Sequence, residues 1–88
     1  MKIKDGFELR KFGGKWLAVT VDEAADEKNV LVTLNETGAF VWGILRTESE
    51  YSDIVSKIVE NYEVDEAVAE KDLDNFLRIC RENGILYE

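Results

Sequence analysis

Along this chain the spacing of apolar residues changes once, near residue 35, from short alternating runs to a helical period. Before that point, Phe7, Leu9 and Phe12 punctuate a polar run that reads as a half-buried strand, and Gly13-Gly14 is a hairpin signal. Lys15-Trp16-Leu17-Ala18-Val19-Thr20-Val21 is rich in β-formers. Its alternation puts Leu17, Val19 and Val21 on one face and Trp16, Ala18 and Thr20 on the other. Residues 22–29, all small or polar, read as an acidic loop with no buried side chain. Val30-Leu31-Val32-Thr33-Leu34 then makes a third short strand, so the first half predicts an antiparallel meander.

After residue 35 the period lengthens. Asn35 is a good helix N-cap, since its side-chain oxygen can accept from an otherwise orphaned amide of the first turn. Gly38, Val41, Trp42 and Leu45 fall on one face of the helix that follows. Ile54, Val55, Ile58, Val59 and Tyr62 repeat the pattern in a second helix starting near residues 49–52. Asp65 stands where it would cap a third, whose apolar stripe is Ala69, Leu73, Phe76, Leu77 and Cys80. Asn83-Gly84 ends that helix, and Ile85-Leu86-Tyr87 reads as a short extended tail. The predicted order is βββααα over a single domain, residues 1–88. This is an α+β fold of winged helix-turn-helix type, a three-stranded antiparallel sheet followed by three helices.

Composition narrows the function more than the fold. Apolar residues make up 45% of the chain, enough for one small core, and the single cysteine excludes an internal disulfide. No apolar run approaches the roughly 20 residues of a membrane helix, and Met1 leads directly into charged residues. A cytoplasmic protein with no membrane partner is the expectation. The net charge is −8, unevenly spread. Within residues 1–15, Lys2, Lys4, Arg10, Lys11 and Lys15 outnumber Asp5 and Glu8, a balance of +3 against −11 for the remainder. So acidic a surface is poorly made for nucleic acid, which binds by phosphate neutralisation.

Catalytic chemistry is hard to build from these residues. Histidine is absent, which removes the usual general base near neutral pH and every His-based triad. Gly13-Gly14 is a hairpin pair and not a phosphate loop, and one cysteine cannot hold an iron–sulfur centre. Cys80 lies within an apolar stripe, where a thiol acts as a small buried hydrophobe. Glu23, Asp26 and Glu27 lack the spacing and glycine of a calcium loop and read as a solvated acidic turn. Trp42 reads as a core aromatic; Trp16 either caps the open face of the sheet or meets a partner. No enzyme activity, metal or cofactor is expected.

The third helix carries the one unusual surface. At 100° per residue, Val68 and Ile79 fall outside the core arc, on a flank shared with Asp72 and Asn75. Two apolar residues there can line a shallow groove able to take a peptide side chain. The helix's non-core positions hold Glu66, Glu70, Asp72, Asp74 and Glu82 against Lys71, Arg78 and Arg81, which argues against insertion into a DNA groove.

Taken in order, these segments resemble the PqqD-like family. The resemblance rests on Leu34-Asn35, then Thr37-Gly38 and Trp42, with Leu45 closing the first helix. It continues through Ile54-Val55, Ile58-Val59, Tyr62 and Asp65. Val68, Asp72-Leu73 and Phe76-Leu77 precede the closing Gly84-Ile85-Leu86. Three departures leave the fold intact: Arg46-Thr47-Glu48 replaces an Asp-Gly turn, Glu63-Val64 replaces a Gly-Val pair, and Cys80 stands where a larger aliphatic is common. The resemblance implies a RiPP recognition element, a non-catalytic module that binds the leader of a ribosomal precursor peptide and presents it to a modifying enzyme, often of the radical SAM type. Pyrroloquinoline quinone biosynthesis is one use of the family. It also implies that the leader adds as a strand to Val30, Leu31, Val32, Thr33 and Leu34. Its side chains would then enter the groove beside Val68, Asp72, Asn75 and Ile79, with Lys71 or Arg78 pairing a leader carboxylate. Such strand addition uses the unpaired amides and carbonyls of a sheet edge.

Two rival readings use the same architecture. One is an acidic winged-helix regulator that binds DNA; the other is a structural module, a monomer or weak dimer pairing through its own sheet edge.

Overall fold

The computed structural model of the protein describes residues 1–21 and 30–88. The expected acidic loop at 22–29, with Glu23, Asp26 and Glu27, lies outside the described residues. The elements run β1 (Lys2–Ile3), β2 (Phe7–Phe12), β3 (Lys15–Thr20), β4 (Val30–Leu34), α1 (Glu36–Ile44), α2 (Tyr51–Tyr62), α3 (Glu66–Glu82) and β5 (Leu86–Tyr87). Strands β2, β3 and β4 form an antiparallel sheet in that order, and the three helices follow it. The expected winged-helix-like α+β fold is therefore present. What the sequence pattern missed is a second, two-stranded sheet, β1 against β5, pairing Lys2 with Tyr87 and Ile3 with Leu86. The Ile3 amide donates to the Leu45 carbonyl at 2.8 Å and the Lys4 amide to the Ile85 carbonyl at 2.7 Å, so this small sheet is stitched to the end of α1.

The core lies between the sheet and the helices. Ala18 and Leu34 are buried in it, with Phe7, Leu9, Trp16 and Val32 packed against it. The inward face of β3 is thus the Trp16–Ala18–Thr20 side of the alternation. Register explains the match: Leu9 faces Ala18, Ala18 faces Val32, and Trp16 faces Leu34 across the sheet. Phe12 belongs to the opposite phase from Phe7 and Leu9, and at the end of its strand it is 77% exposed instead of half-buried. Trp16, left between two roles by the sequence, packs on the core with the Lys11 ammonium 5.2 Å from its ring centroid.

The helices bury most of the stripes their spacing predicts, with Val59 and Tyr62 of α2 half-buried against the core. Val41, Trp42 and Leu45 of α1 and its C-cap, Ile54, Val55 and Ile58 of α2, and Ala69, Leu73, Phe76, Leu77 and Cys80 of α3 are all buried. Each large side chain so buried contributes roughly 1.5–3 kcal/mol. Asn35 caps α1 as expected, its Oδ1 accepting from the Gly38 amide at 2.7 Å. Asp65 occupies the N-cap position of α3, but its side chain makes no capping hydrogen bond. Helix α2 ends at Glu63, which sits in the left-handed region at φ 52° and ψ 45°. A β-carbon in that region is strained. Gly84, at φ 66°, closes α3 without that strain.

Two stability changes of opposite sign are expected. Asn35→Ala should lower unfolding free energy by about 1 kcal/mol through loss of the cap. Glu63→Gly should raise it by about 0.5–1 kcal/mol through relief of the left-handed strain. Urea midpoints at unchanged slope would show both.

Candidate functional site: the β4 edge and the flank of α3

Within the three-stranded sheet β4 pairs only with β3, so its far edge keeps unpaired backbone groups among the described residues. The β3–β4 register jumps at a bulge: Ala18 opposes Val32 and Val19 opposes Val30, skipping Leu31. A bulge bends and twists its strand locally. Thr33 is exposed, Val32 half-buried and Leu34 buried. Strand β2 leaves an outer edge as well. What distinguishes β4 is its junction with α3. A β-carbon placed on Gly38 would lie 3.3 Å from the Leu34 Cβ and 3.4 Å from the Phe76 Cδ2, so the end of β4 and the middle of α3 meet across a residue with no side chain.

On α3, the four residues expected to line a groove share a stripe about 60° wide beside the buried arc. Val68 is 44% exposed, Asp72 and Ile79 are half-buried, and Asn75 is exposed. Lys71 and Arg78 lie on the next stripe outward, both exposed. Arg78 is not idle: its Nη2 donates to the Asn75 Oδ1 at 2.8 Å and its Nη1 to the Glu82 Oε1 at 3.2 Å. Exposed pairs of this kind contribute at most about 1 kcal/mol, so an incoming carboxylate can compete for the guanidinium. The structure thus groups the predicted residues into two sets, one on the β4 strand and one on the α3 flank, linked through Leu34, Gly38 and Phe76.

Two concavities lie elsewhere. One, of about 560 Å³, runs between α2 and the start of α3 and is lined by Tyr51, Val55, Val59, Glu60, Glu66 and Glu70, among others. The other, of about 310 Å³, lies where Lys11 and Trp16 meet Glu36, Ala39, Phe40 and Tyr62. Neither includes a residue of the predicted peptide site. No sequence signal marked the α2–α3 groove, because its apolar floor belongs to the same periodic stripes that build the core.

The groups with perturbed acidity do not form a reaction centre. Burial pushes the Cys80 thiol up to about 12, so the thiolate needed for nucleophilic attack is disfavoured. The Tyr51 hydroxyl donates to the Asp74 Oδ1 at 2.6 Å, and this hydrogen bond, with some desolvation, raises the phenol to about 12. Among the described residues no three acidic, histidine or cysteine side chains are grouped to hold a metal ion. No helix there is long and apolar enough to cross a membrane.

The family model for coenzyme PQQ synthesis protein D (PqqD) matches residues 19–86, most of the chain. The chain belongs to the PqqD family. A solved structure described as "TbiB1 in Complex with the TbiA(beta) Leader Peptide" shares this family member's fold, with a TM-score of 0.72 over 100% of this chain and 99% of that one, at 24% identity. No curated protein matches the chain. The matched region of the PqqD model spans β4 and all three helices, the segments on which the sequence resemblance rested.

The buried thiol gives a check on the packing of α3. Cys80 should resist Ellman's reagent at pH 8–9 in the native protein and react at once in denaturant. Because its folded pKa is raised above the unfolded value, its contribution to stability is complete below about pH 8.5 and falls as pH rises toward 12. Cys80→Ala should flatten that alkaline slope.

Proposed function

We propose that this protein binds the leader of a ribosomally made precursor peptide by strand addition to β4 and presents it to a peptide-modifying enzyme. The observation that carries the reading is the open edge of β4 joined through Gly38 to α3, whose flank offers Val68 and Ile79 beside Lys71 and Arg78. Membership of the PqqD family and the likeness to a TbiB1 structure holding a leader peptide support it.

In this reading the two halves of the site divide the work. Main-chain pairing along Val30, Leu31, Val32, Thr33 and Leu34 supplies affinity with little regard to sequence, each hydrogen bond contributing about 0.5–1.5 kcal/mol net. Selection comes from the α3 flank. Val68 and Ile79 hold an apolar leader residue, Asp72 and Asn75 border it, and Lys71 or Arg78 takes a leader carboxylate. The chain itself performs no chemistry and needs no cofactor. The reading includes a modifying enzyme of the radical SAM type as partner and a cytoplasmic setting.

Backbone amide titration of the labelled protein with candidate leader peptides tests this. Shifts should concentrate at residues 30–34 and along 68–79. Val68→Ser should weaken binding three- to tenfold, roughly 1 kcal/mol for partial loss of a buried aliphatic contact. Arg78→Glu should weaken only leaders that carry an acid at the facing position. Silence with every leader, together with shifts at Lys71, Arg78 and the N-terminal lysines on adding duplex DNA, would overturn the reading in favour of a regulator.

A further inference from the structure

Two surfaces that the leader site does not use are complementary to one another. The first is the tip of the β2–β3 hairpin. Phe12 and Lys15 are partners across the turn, and Gly13 and Gly14, at φ 59° and 79°, make it tight. Phe12 is the most exposed large hydrophobic residue described, at 77%. It is flanked by Lys15, its cross-strand partner, and by Lys11, whose ammonium lies over the Trp16 ring on the other face of the strand; both lysines are exposed and neither is in an ion pair among the described residues. The second is the 560 Å³ groove between α2 and α3, with Val55, Val59 and Tyr51 as its apolar lining and Glu60, Glu66 and Glu70 among its polar residues. These three carboxylates also form no ion pair among the described residues. Glu66 and Glu70 project from α3 on the side roughly opposite Val68 and Ile79, so an occupant here leaves the leader site open.

We infer that the α2–α3 groove receives the hairpin tip of a second copy of this chain. Phe12 enters between Val55 and Val59, while Lys11 and Lys15 meet Glu60, Glu66 and Glu70. The occupant follows from charge. Residues 1–15 carry a net +3 in a chain whose net charge is −8, and they hold the most exposed aromatic among the described residues. An aromatic anchor inside a polar rim is the usual anatomy of a protein contact, and complementary charge at the rim steers the encounter. The overall negative charge of both copies opposes long association, which keeps the contact weak. Two reciprocal contacts close a twofold dimer, whereas a one-way contact propagates. The inference stands apart from the leader-peptide reading and shares no residue with it.

Sedimentation velocity from micromolar to millimolar protein tests it, with circular dichroism to confirm that each variant is folded. The wild-type chain should associate with rising concentration, as a dimer or as a longer series. Phe12→Ser should weaken association about tenfold or more, the expected loss for one buried aromatic anchor. Lys11→Glu/Lys15→Glu and Glu60→Lys/Glu70→Lys should each be monomeric alone, since each confronts like charges, and should associate again when mixed. Three results would overturn the inference. They are a wild type that stays monomeric at millimolar protein, an association untouched by Phe12→Ser, and a mixture of the two charge variants that stays apart. Persistence in Phe12→Ser with loss in Val32→Pro would assign the contact to the β4 edge instead.

Discussion

The close approach at Gly38 is the constraint on which the rest of this molecule turns. It is the first buried residue of α1, its amide is held by Asn35, and its missing side chain lets Leu34 and Phe76 both close on its backbone. Three elements meet there: the last residue of the sheet, the start of the first helix and the middle of the last. Were the helix to begin one residue earlier or later, the Val41–Trp42–Leu45 face would rotate by about 100° away from the core. The cap therefore does more than satisfy one amide. It fixes the phase of α1, and through Phe76 the position of α3 relative to β4.

That arrangement bears on the strand addition proposed for the edge of β4. An open strand edge invites any extended chain, and a small acidic protein with an unprotected one risks pairing with itself. Here the edge is short, bent by the bulge at Leu31, and set on the same junction as a helix flank bearing both signs of charge. Under the proposed strand addition, a segment that satisfies the backbone alone would gain little, and one that also fits Val68, Ile79 and the nearby cations would gain selectivity. The Arg78 guanidinium, already shared between Asn75 and Glu82, is held in place without being buried. Such a group can exchange partners at small cost, which suits recognition more than stability.

Much of this was legible in the sequence because helices advertise themselves by period. The stripes from Val41 to Cys80, the Asn35 cap and the Gly84 stop all stand where spacing put them. Two-residue strands have no period to read, so β1 went unseen and the tail at Ile85–Tyr87 had no partner assigned. The inward face of β3 was also ambiguous. Leu17 looks more like core than Ala18, yet Leu17 is half-buried and Ala18 is fully buried because it lies between Leu9 and Val32 across the sheet, while Val19 on the other face is buried too. The left-handed turn at Glu63 carries no glycine to announce it. On the site, the α3 stripe could be derived by angle, whereas the engagement of Arg78 and the α2–α3 groove depend on side-chain positions that no one-dimensional pattern encodes.

The small sheet formed by β1 and β5 has a consequence for how the domain can be built into larger proteins. Lys2 and Tyr87 are cross-strand neighbours, which places their backbones about 5 Å apart. A host polypeptide interrupted by this domain would leave and re-enter at nearly one point, with little disturbance to either side of the break. The geometry is that of a cassette: it can be spliced into a surface turn or hung from either end. In each case the β4 edge would be carried as a preformed unit.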